Sequence, residues 1–330
     1  MATTSRVLLL LVVGASVIFG LGKVGAVNSS VAELLRERWQ EKLPDIGIPP
    51  PLVKRLSPLS QTQLKDFTTA LKNRDRDDTS FDASHFCRSA GLLCRENVSF
   101  YHGCSQYGFS KRMPKQVEEH LFFDKEELRE SGEIILPDMS SHRTRMPFLP
   151  SELAEMMPPF STANVSQILK LLNIPSESNM SRSMASTLKM CEERAEEGEV
   201  QRCSTSVEGM VEFVVSLLGS DVDLLNDPSV IGSGQRATVT KAAKRENIVG
   251  GKSPVTCHHF VFPYAVIYCH SINGSEVFDL QLEVMQDDKP VVKNATALCH
   301  YSSNGAGGTQ ASCHFVYGEM LLWMPKPTRY

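Results

Sequence analysis

Four Cys–His dipeptides mark the last quarter of the sequence and combine two uncommon, reactive side chains. They are separated by 10, 28 and 12 residues, in a chain with nine cysteines and nine histidines among 330 residues. Cysteine forms disulfides or metal thiolates, whereas imidazole binds transition metals or transfers protons. The pattern therefore predicts covalent cross-links, a metal site, or both. The dipeptides are Cys257-His258, Cys269-His270, Cys299-His300 and Cys313-His314.

The residues around these dipeptides have the composition of β-strands. β-Branched and aromatic residues are concentrated in short runs bounded by turn residues. Since successive side chains of a strand point to opposite faces, each dipeptide should send its sulfur to one face and its imidazole to the other. The cysteines can then cross-link a sheet while the histidines gather elsewhere.

Three interpretations of the dipeptides compete. The first is a zinc site that uses both residue types, but structural zinc prefers cysteines two to four residues apart, and the secretion that the N-terminal residues predict (below) favours disulfides over thiolates. The second is disulfides with incidental histidines. The third is disulfides plus a site of histidines alone, and several imidazoles suit Cu(II). We favour the third interpretation, with copper as the possible cofactor.

Chain geometry constrains the first two dipeptides. A straight strand would separate His258 from His270 by roughly 40 Å, at about 3.3 Å per residue. A shared metal would require the chain to fold back, for which the Phe262-Pro263-Tyr264 segment is the natural place. A direct disulfide would likewise require the two cysteine Cα atoms to approach within about 7 Å. The adjacent His259 is expected to be packed or solvated rather than a ligand.

The N-terminal residues have the layout of a secretory signal peptide. Arg6 precedes an apolar run over residues 7–21, and small residues lead to a plausible cleavage site after Ala26. A run of about 15 residues is short of the about 20 needed to span a bilayer. We therefore expect residues 1–26 to be removed, and a secreted, extracellular protein with no membrane contact after cleavage. The net charge of −4 suggests no nucleic-acid partner.

Cysteine pairing and glycosylation are both expected in a secreted chain. Cys87 with Cys94, and Cys191 with Cys203, have the spacing of local pairs, and the odd count leaves one cysteine, for which Cys104 is the candidate. The pairing of the six cysteines after residue 190 stays open among 15 possibilities. Six Asn-x-Ser/Thr sequons are present, at Asn28, Asn97, Asn164, Asn179, Asn273 and Asn294.

The hydrophobic pattern predicts an α+β protein. Amphipathic helices are predicted over residues 31–43 and 60–72, and residues 182–218 are predominantly helical in pattern. The last 75 residues predict a mainly antiparallel sheet on which helices pack. The predicted organisation is a signal peptide (1–26), an N-terminal helical region (27–98), a linker (99–117), a disulfide-bonded α+β domain (118–326) and a tail (327–330).

The Cys–His series, closing on Trp323-Met324-Pro325, resembles the signature of the plant BURP-domain family. The resemblance extends upstream to the paired Phe122 and Phe123, to residues 148–162, and to the segment with Cys191 and Cys203, so that it covers about residues 118–326. The family usually has a longer stretch between the last two dipeptides. The shorter stretch here, a small Gly-rich loop, would be expected to move His314 or reshape the site.

The N-terminal region resembles the non-catalytic β-subunit of polygalacturonase, a subclass of this family. Residues 30–44, 52–71 and 86–94 are similar to the start of such proteins, which then carry Phe-x-x-Tyr repeats. This chain contains no Phe-x-x-Tyr sequence, and the corresponding region is a short aromatic stretch at residues 99–113. The resemblance implies a cell-wall protein of the apoplast, with a polygalacturonase or a wall polysaccharide as its partner.

Three functions follow from the resemblance. The first is a non-catalytic accessory protein that localises a pectin-degrading polygalacturonase, and the absence of a clear hydrolase motif agrees with it. The second is a structural wall or storage protein. The third is a copper-dependent peptide cyclase, with copper on His258, His270, His300 and His314, and with Tyr101 and Tyr107 as the candidate modified residues. We rank them in that order, so an enzyme is not favoured and no catalytic residue is assigned.

Overall fold

The computed structural model describes residues 30–74, 81–94, 122–136, 146–226, 234–245, 251–303 and 309–326. Within these ranges the chain consists of helices and antiparallel strands, as predicted. None of the helices in these ranges is both long enough and apolar enough to span a bilayer. Several predicted features lie outside the described residues, namely the signal peptide, Asn28, Asn97, Tyr101, Cys104 and Tyr107.

The N-terminal region is helical, and its two longer helices begin at serine caps. Ser30 caps α1 and Ser60 caps α3, each in a capping box in which the serine side chain accepts a backbone N–H and the side chain three residues later accepts the N–H of the serine. The predicted starts of both helices are confirmed. The four helices here are α1 (Val31–Lys42), α2 (Pro50–Val53), α3 (Gln61–Asn73) and α4 (Ala83–Ser89).

Within the described residues, four further helices precede most of the sheet strands. They are α5 (Ser151–Ala154), α6 (Val165–Leu172), α7 (Asn179–Glu192) and α8 (Val207–Leu218). A strand, β3 (Glu199–Ser204), separates α7 from α8, so the predicted helical character of residues 182–218 is wrong over this part. Gly198, at φ 80°, turns the chain into β3, whose side chains then alternate in burial because the strand pairs with a later one.

The strands form two antiparallel sheets. The six-stranded sheet has the order β1-β10-β9-β8-β5-β2, and the five-stranded sheet has the order β3-β7-β6-β11-β4. Neighbours in sequence are mostly neighbours in a sheet, as is usual for antiparallel connections. The strands other than β3 are β1 (Phe123–Asp124), β2 (Glu133–Ile135), β4 (Val222–Leu225), β5 (Arg236–Lys244), β6 (Val255–Phe260), β7 (Val266–Ile272), β8 (Glu276–Gln286), β9 (Lys289–Ser303), β10 (Thr309–Phe315) and β11 (Leu321–Pro325).

The two sheets meet face to face. A small apolar cluster joins Val277 and Leu298 of the six-stranded sheet to Leu322 and Met324 of the five-stranded sheet. The other face of the five-stranded sheet is covered by α1 and α8, in a core that includes Trp39, and the other face of the six-stranded sheet has a core of its own. Each sheet therefore has two buried faces over much of its area.

The N-terminal helices pack directly on the sheet domain. Trp39 lies 5.8 Å from Trp323, centroid to centroid, and the Leu93 backbone N–H donates to the Pro263 carbonyl at 2.8 Å. Arg55, 2% exposed, is ion-paired with Glu319. Because a buried guanidinium is stable only with such partners, the predicted N-terminal region and the sheet domain share one interior.

Candidate functional site

The first two Cys–His dipeptides face each other across the β6–β7 hairpin. The chain folds back between Phe260 and Val266, and Cys257 lies directly opposite Cys269 in the strand register. Their Cα atoms are 4.0 Å apart and their sulfurs form a disulfide. On the opposite face of the same strands, the Nε2 atoms of His258 and His270 are 3.3 Å apart.

The last two dipeptides repeat this arrangement across β9 and β10. Cys299 lies opposite Cys313, with a Cα–Cα distance of 4.0 Å and a disulfide. The Nε2 atoms of His300 and His314 are 3.2 Å apart. With its shorter loop, the β9–β10 pair thus places His314 beside His300 as the β6–β7 hairpin places His258 beside His270.

The two histidine pairs meet between the sheets and close into a ring of four imidazoles. Ring centroids are 5.1 Å apart for His270 and His300, and 5.6 Å apart for His258 and His314. All four side chains are at most 5% exposed. Phe122 packs edge-on against His314, with ring centroids 5.9 Å apart. Residues up to 56 positions apart in sequence thus form one compact cluster, which we call the histidine ring.

Hydrogen bonds at Nδ1 assign the proton on three of the rings. The Nδ1 of His270 is 2.9 Å from the Glu199 carboxylate, and the Nδ1 of His314 is 3.1 Å from the Phe315 carbonyl, and neither partner has a hydrogen to give. The Nδ1 of His300 is 2.9 Å from the Ser275 hydroxyl, which donates its own hydrogen to a carbonyl at 2.7 Å. Each of these nitrogens is therefore the donor.

This assignment places lone pairs against each other at the centre of the ring. A neutral imidazole that carries its hydrogen on Nδ1 has no hydrogen on Nε2, which is then a hydrogen-bond acceptor with a lone pair. When both rings are neutral, neither the Nε2 of His300 nor the Nε2 of His314, 3.2 Å apart, would carry a hydrogen. Two facing lone pairs repel unless a cation, either a proton or a metal ion, lies between them.

Protonation of these histidines does not relieve the repulsion near neutral pH, because their pKa values are lowered. Burial, followed by the neighbouring rings, lowers the pKa of His258 and of His300 well below the ordinary value. Burial lowers the pKa of His314 to about 4, although its bond to the Phe315 carbonyl acts in the opposite direction. Burial also lowers the pKa of His270, and the Glu199 carboxylate opposes this change.

The donor set fits a transition metal. Four imidazole nitrogens suit Cu(II), and hydrogen bonds from Nδ1 to oxygen atoms are the usual support for metal-binding histidines. The Nε2 separations of 3.3 and 3.2 Å resemble those of two nitrogens on one ion, since metal–nitrogen bonds are about 2.0–2.1 Å long. Among the described residues, no three His, Cys, Asp or Glu side chains lie in an arrangement that could hold a metal ion as it stands. The two imidazole pairs of the histidine ring would therefore have to move closer together to bind a metal ion.

The remaining cysteines and His259 lie away from the histidine ring. Cys87 is bonded to Cys94, and Cys191 to Cys203, so all eight cysteines predicted to form disulfides do so. These eight have no thiolate to offer, which excludes the interpretation of a zinc site built on the Cys–His cysteines. His259 lies on the sulfur-bearing face of β6, and neither of its ring nitrogens has a hydrogen-bond partner.

Three of the four sequons within the described ranges have exposed asparagines. Asn273 lies in the turn between β7 and β8, and Asn294 lies on β9. Asn179 begins α7, where its side chain accepts from Arg182. Asn164 is half-buried, and its amide donates to the Ser161 hydroxyl at 2.6 Å. Glycosylation of these residues stays a prediction.

Sequence reasoning missed the residues that support the histidine ring. Glu199 lies in a segment predicted to be helical, and it is 71 positions from His270. Ser275 lies in the turn between β7 and β8, where it is the serine of the Asn273 sequon, a motif that says nothing of a contact with His300. The acidic Asp287 and Asp288, by contrast, are exposed in a hairpin turn at φ 50° and 58° and lie outside the site.

Comparison with known proteins decides the family. A model of the BURP domain matches residues 121–325, which is more than half of the chain. The chain belongs to the BURP domain family. BURP domain-containing protein 16 of Oryza sativa subsp. japonica is 26% identical over 348 residues, covering 96% of each chain.

Other relatives of this BURP protein are of the polygalacturonase β-subunit type. Polygalacturonase 1 beta-like protein 3 of Arabidopsis thaliana is 27% identical over 231 residues, or 66% of this chain and 36% of its own. Polygalacturonase-1 non-catalytic subunit beta of Solanum lycopersicum is 27% identical over 232 residues, with the same coverage. The chain therefore spans only 36% of the length of these two relatives.

Proposed function

We propose that the protein is a secreted cell-wall protein and a non-catalytic partner of a pectin-degrading polygalacturonase. The observation that carries this proposal is the similarity of 66% of the chain to a protein named as a non-catalytic subunit of that enzyme. Four disulfides fit the oxidising compartment that secretion implies. The partner is then the polygalacturonase or the wall polysaccharide on which it acts.

The histidine ring is proposed to hold copper within this protein. His258, His270, His300 and His314 would be its ligands through Nε2, supported by Glu199, Ser275 and the Phe315 carbonyl. A bound copper ion would supply a positive charge between the facing lone pairs and one-electron redox chemistry. The sheets keep bulk water away from the ring, because all four histidines are at most 5% exposed.

Association with polygalacturonase is the experiment that tests the accessory role. The mature chain from Val27, secreted with a tag, is mixed with polygalacturonase, and complex formation is measured by size exclusion and by retention of the enzyme on pectin. We expect a complex and increased retention. A variant with His270→Ala and His300→Ala is the matched control, and it should associate equally well because the accessory role needs no metal. No complex and unchanged retention would contradict the proposal.

A second candidate is a copper-dependent peptide cyclase, which the histidine ring favours. Such a reaction joins a tyrosine side chain to a neighbouring peptide atom with loss of two hydrogens. The two electrons and two protons pass to an oxidant such as dioxygen. The candidate residues Tyr101 and Tyr107 lie outside the described ranges. Mass spectrometry of the peptide that contains them, with and without copper, tests this function, and an unchanged mass in both samples argues against it.

A further inference from the structure

One carboxylate supports the histidine ring from the edge of the five-stranded sheet. Glu199 lies on β3, next to β7, and its side chain is only 6% exposed. Its Oε1 accepts from the Nδ1 of His270 at 2.9 Å, and its Oε2 accepts the Glu196 backbone N–H at 3.1 Å. The carboxylate is thus held at both oxygens, with one of them directed at a ring histidine.

A tyrosine holds the same carboxylate from the other side. The Tyr268 hydroxyl is 3.0 Å from Oε1 of Glu199 and 2.5 Å from the Gln201 side-chain oxygen. The Tyr268 ring stacks on Phe260, at an interplanar angle of 13°. A ring fixed by stacking gives the hydroxyl a fixed position. The Tyr268 hydroxyl has a single hydrogen for these two oxygens, so Oε1 of Glu199 accepts from His270 and shares the tyrosine hydrogen with Gln201.

Glu199 differs from the other supports of the histidine ring. His300 and His314 donate to a hydroxyl and a backbone carbonyl, both neutral acceptors. His270 donates to a carboxylate, and hydrogen bonds to a charged acceptor are about twice as strong as those between neutral groups. An imidazole that donates to a carboxylate is also a more basic ligand at its other nitrogen.

We infer that Glu199 is a positioning residue for His270, which it holds with the hydrogen on Nδ1 and the Nε2 lone pair directed into the histidine ring. It is not itself a ligand, because both of its oxygens are engaged away from the centre. Tyr268 keeps the carboxylate in place. His270 becomes a stronger donor than His300 and His314, whose Nδ1 partners are neutral oxygens. This inference rests on the proposed metal site for its effect on affinity, but the tautomer of His270 is independent of metal.

Two measurements on the folded, disulfide-bonded protein test this role. Long-range ¹H–¹⁵N NMR of the metal-free protein reports which ring nitrogen of His270 carries the hydrogen. Competition with a chelator gives the affinity for Cu(II). The variants are Glu199→Ala, which removes the acceptor, and Glu199→Gln, which keeps an oxygen but removes the charge. Glu197→Gln is the matched control, since Glu197 is exposed and two positions away.

The expected results separate positioning from a merely structural role. Wild type and Glu197→Gln should have the hydrogen of His270 on Nδ1, whereas Glu199→Ala should have a mixture of both forms. Affinity for Cu(II) should fall by about 10–100-fold in Glu199→Ala, the usual effect of losing such a support, with Glu199→Gln between the two. A wild-type His270 with its hydrogen on Nε2, or an unchanged tautomer in Glu199→Ala, would overturn the inference.

Failure of the metal site and failure of the inference can be told apart. If the wild type binds no copper, the NMR result on the metal-free protein still decides whether Glu199 fixes His270. If Glu199→Ala does not fold, Glu199→Gln carries the test, and a wild-type Cu(II) affinity in that variant overturns the inference. If copper binds and Glu199→Ala weakens it less than threefold, the proposed site stands and the positioning role does not.

Discussion

The β6–β7 hairpin and the β9–β10 pair are two versions of one arrangement. Each holds a disulfide between directly opposite cysteines with Cα atoms 4.0 Å apart, and each brings two Nε2 atoms within 3.3 Å on the other face. They differ in what surrounds them. The first disulfide faces a core formed with α1 and α8, and the second faces the separate core of the six-stranded sheet.

The supports of the histidines also differ between the two pairs. His270 in the first pair donates to a buried carboxylate, whereas both histidines of the second pair donate to neutral oxygens. Strand alternation sends the adjacent Cys and His of each dipeptide to opposite faces of the sheet, and this creates the geometry that the two pairs share. The supports come from elsewhere in the fold. Local pattern thus decides where the imidazoles point, and tertiary contacts decide how firmly each is held.

Removal of either hairpin disulfide should have the largest effect on stability. The bonded cysteines are 12 and 14 positions apart, so loss of each bond should lower the free energy of unfolding by about 3 kcal/mol. The variants are Cys257→Ala with Cys269→Ala, and Cys299→Ala with Cys313→Ala, measured by denaturant unfolding. Cys87→Ala with Cys94→Ala is the control, with a shorter loop of separation 7 and an expected loss of about 2.5 kcal/mol. Losses below 1 kcal/mol would contradict this estimate.

Acidification should destabilise the metal-free protein. Burial lowers the pKa of His314 to about 4, so below about pH 6.5 the unfolded chain takes up protons that the folded chain does not. Stability is therefore fully present above pH 6.5 and is lost as the pH falls, by up to about 2 kcal/mol for this residue between pH 6.5 and 5. Unfolding in urea at several pH values measures the slope.

Replacement of single histidines sharpens the comparison at low pH. His314→Gln should flatten the slope more than His270→Gln, because the Glu199 carboxylate opposes the lowering of the pKa of His270 by burial. Equal slopes in wild type and both variants between pH 7 and 5 would mean that these imidazoles are not buried in neutral form.

The neutral support of His300 should matter less than the charged support of His270. Ser275→Ala removes one neutral acceptor, which costs about 1 kcal/mol, or about a fivefold loss of Cu(II) affinity. Ser216→Ala is the control, since that hydroxyl donates to the Phe213 carbonyl in α8 and should leave affinity unchanged. An effect of Ser275→Ala larger than that of Glu199→Ala would reverse the proposed order.

Sequence reasoning succeeded where the determinants are local. The helices predicted from residues 31 and 60 follow from local apolar spacing, and the opposite directions of Cys and His follow from strand alternation. The need for the chain to fold back between His258 and His270 follows from strand length alone.

Glu199 and Ser275, which hydrogen-bond to the histidine ring, could not be predicted because their contacts join residues that are distant in sequence. The contact of Glu199 with His270 forms only when β3 pairs with β7, and β3 lies in a segment with a helical pattern. The position of His314 likewise depends on the register of β9 and β10, in which Cys299 pairs directly with Cys313.

The metal content of the purified mature chain tests the histidine ring most directly. The chain from Val27 is expressed in a secretory host and analysed for bound elements, beside a variant with His270→Ala and His300→Ala. His259→Ala is the control, since His259 lies on the other face of β6. We expect about one copper ion in the wild type and the control, and none in the double variant. A folded, disulfide-bonded wild type that binds no copper or other transition metal would contradict the proposed site.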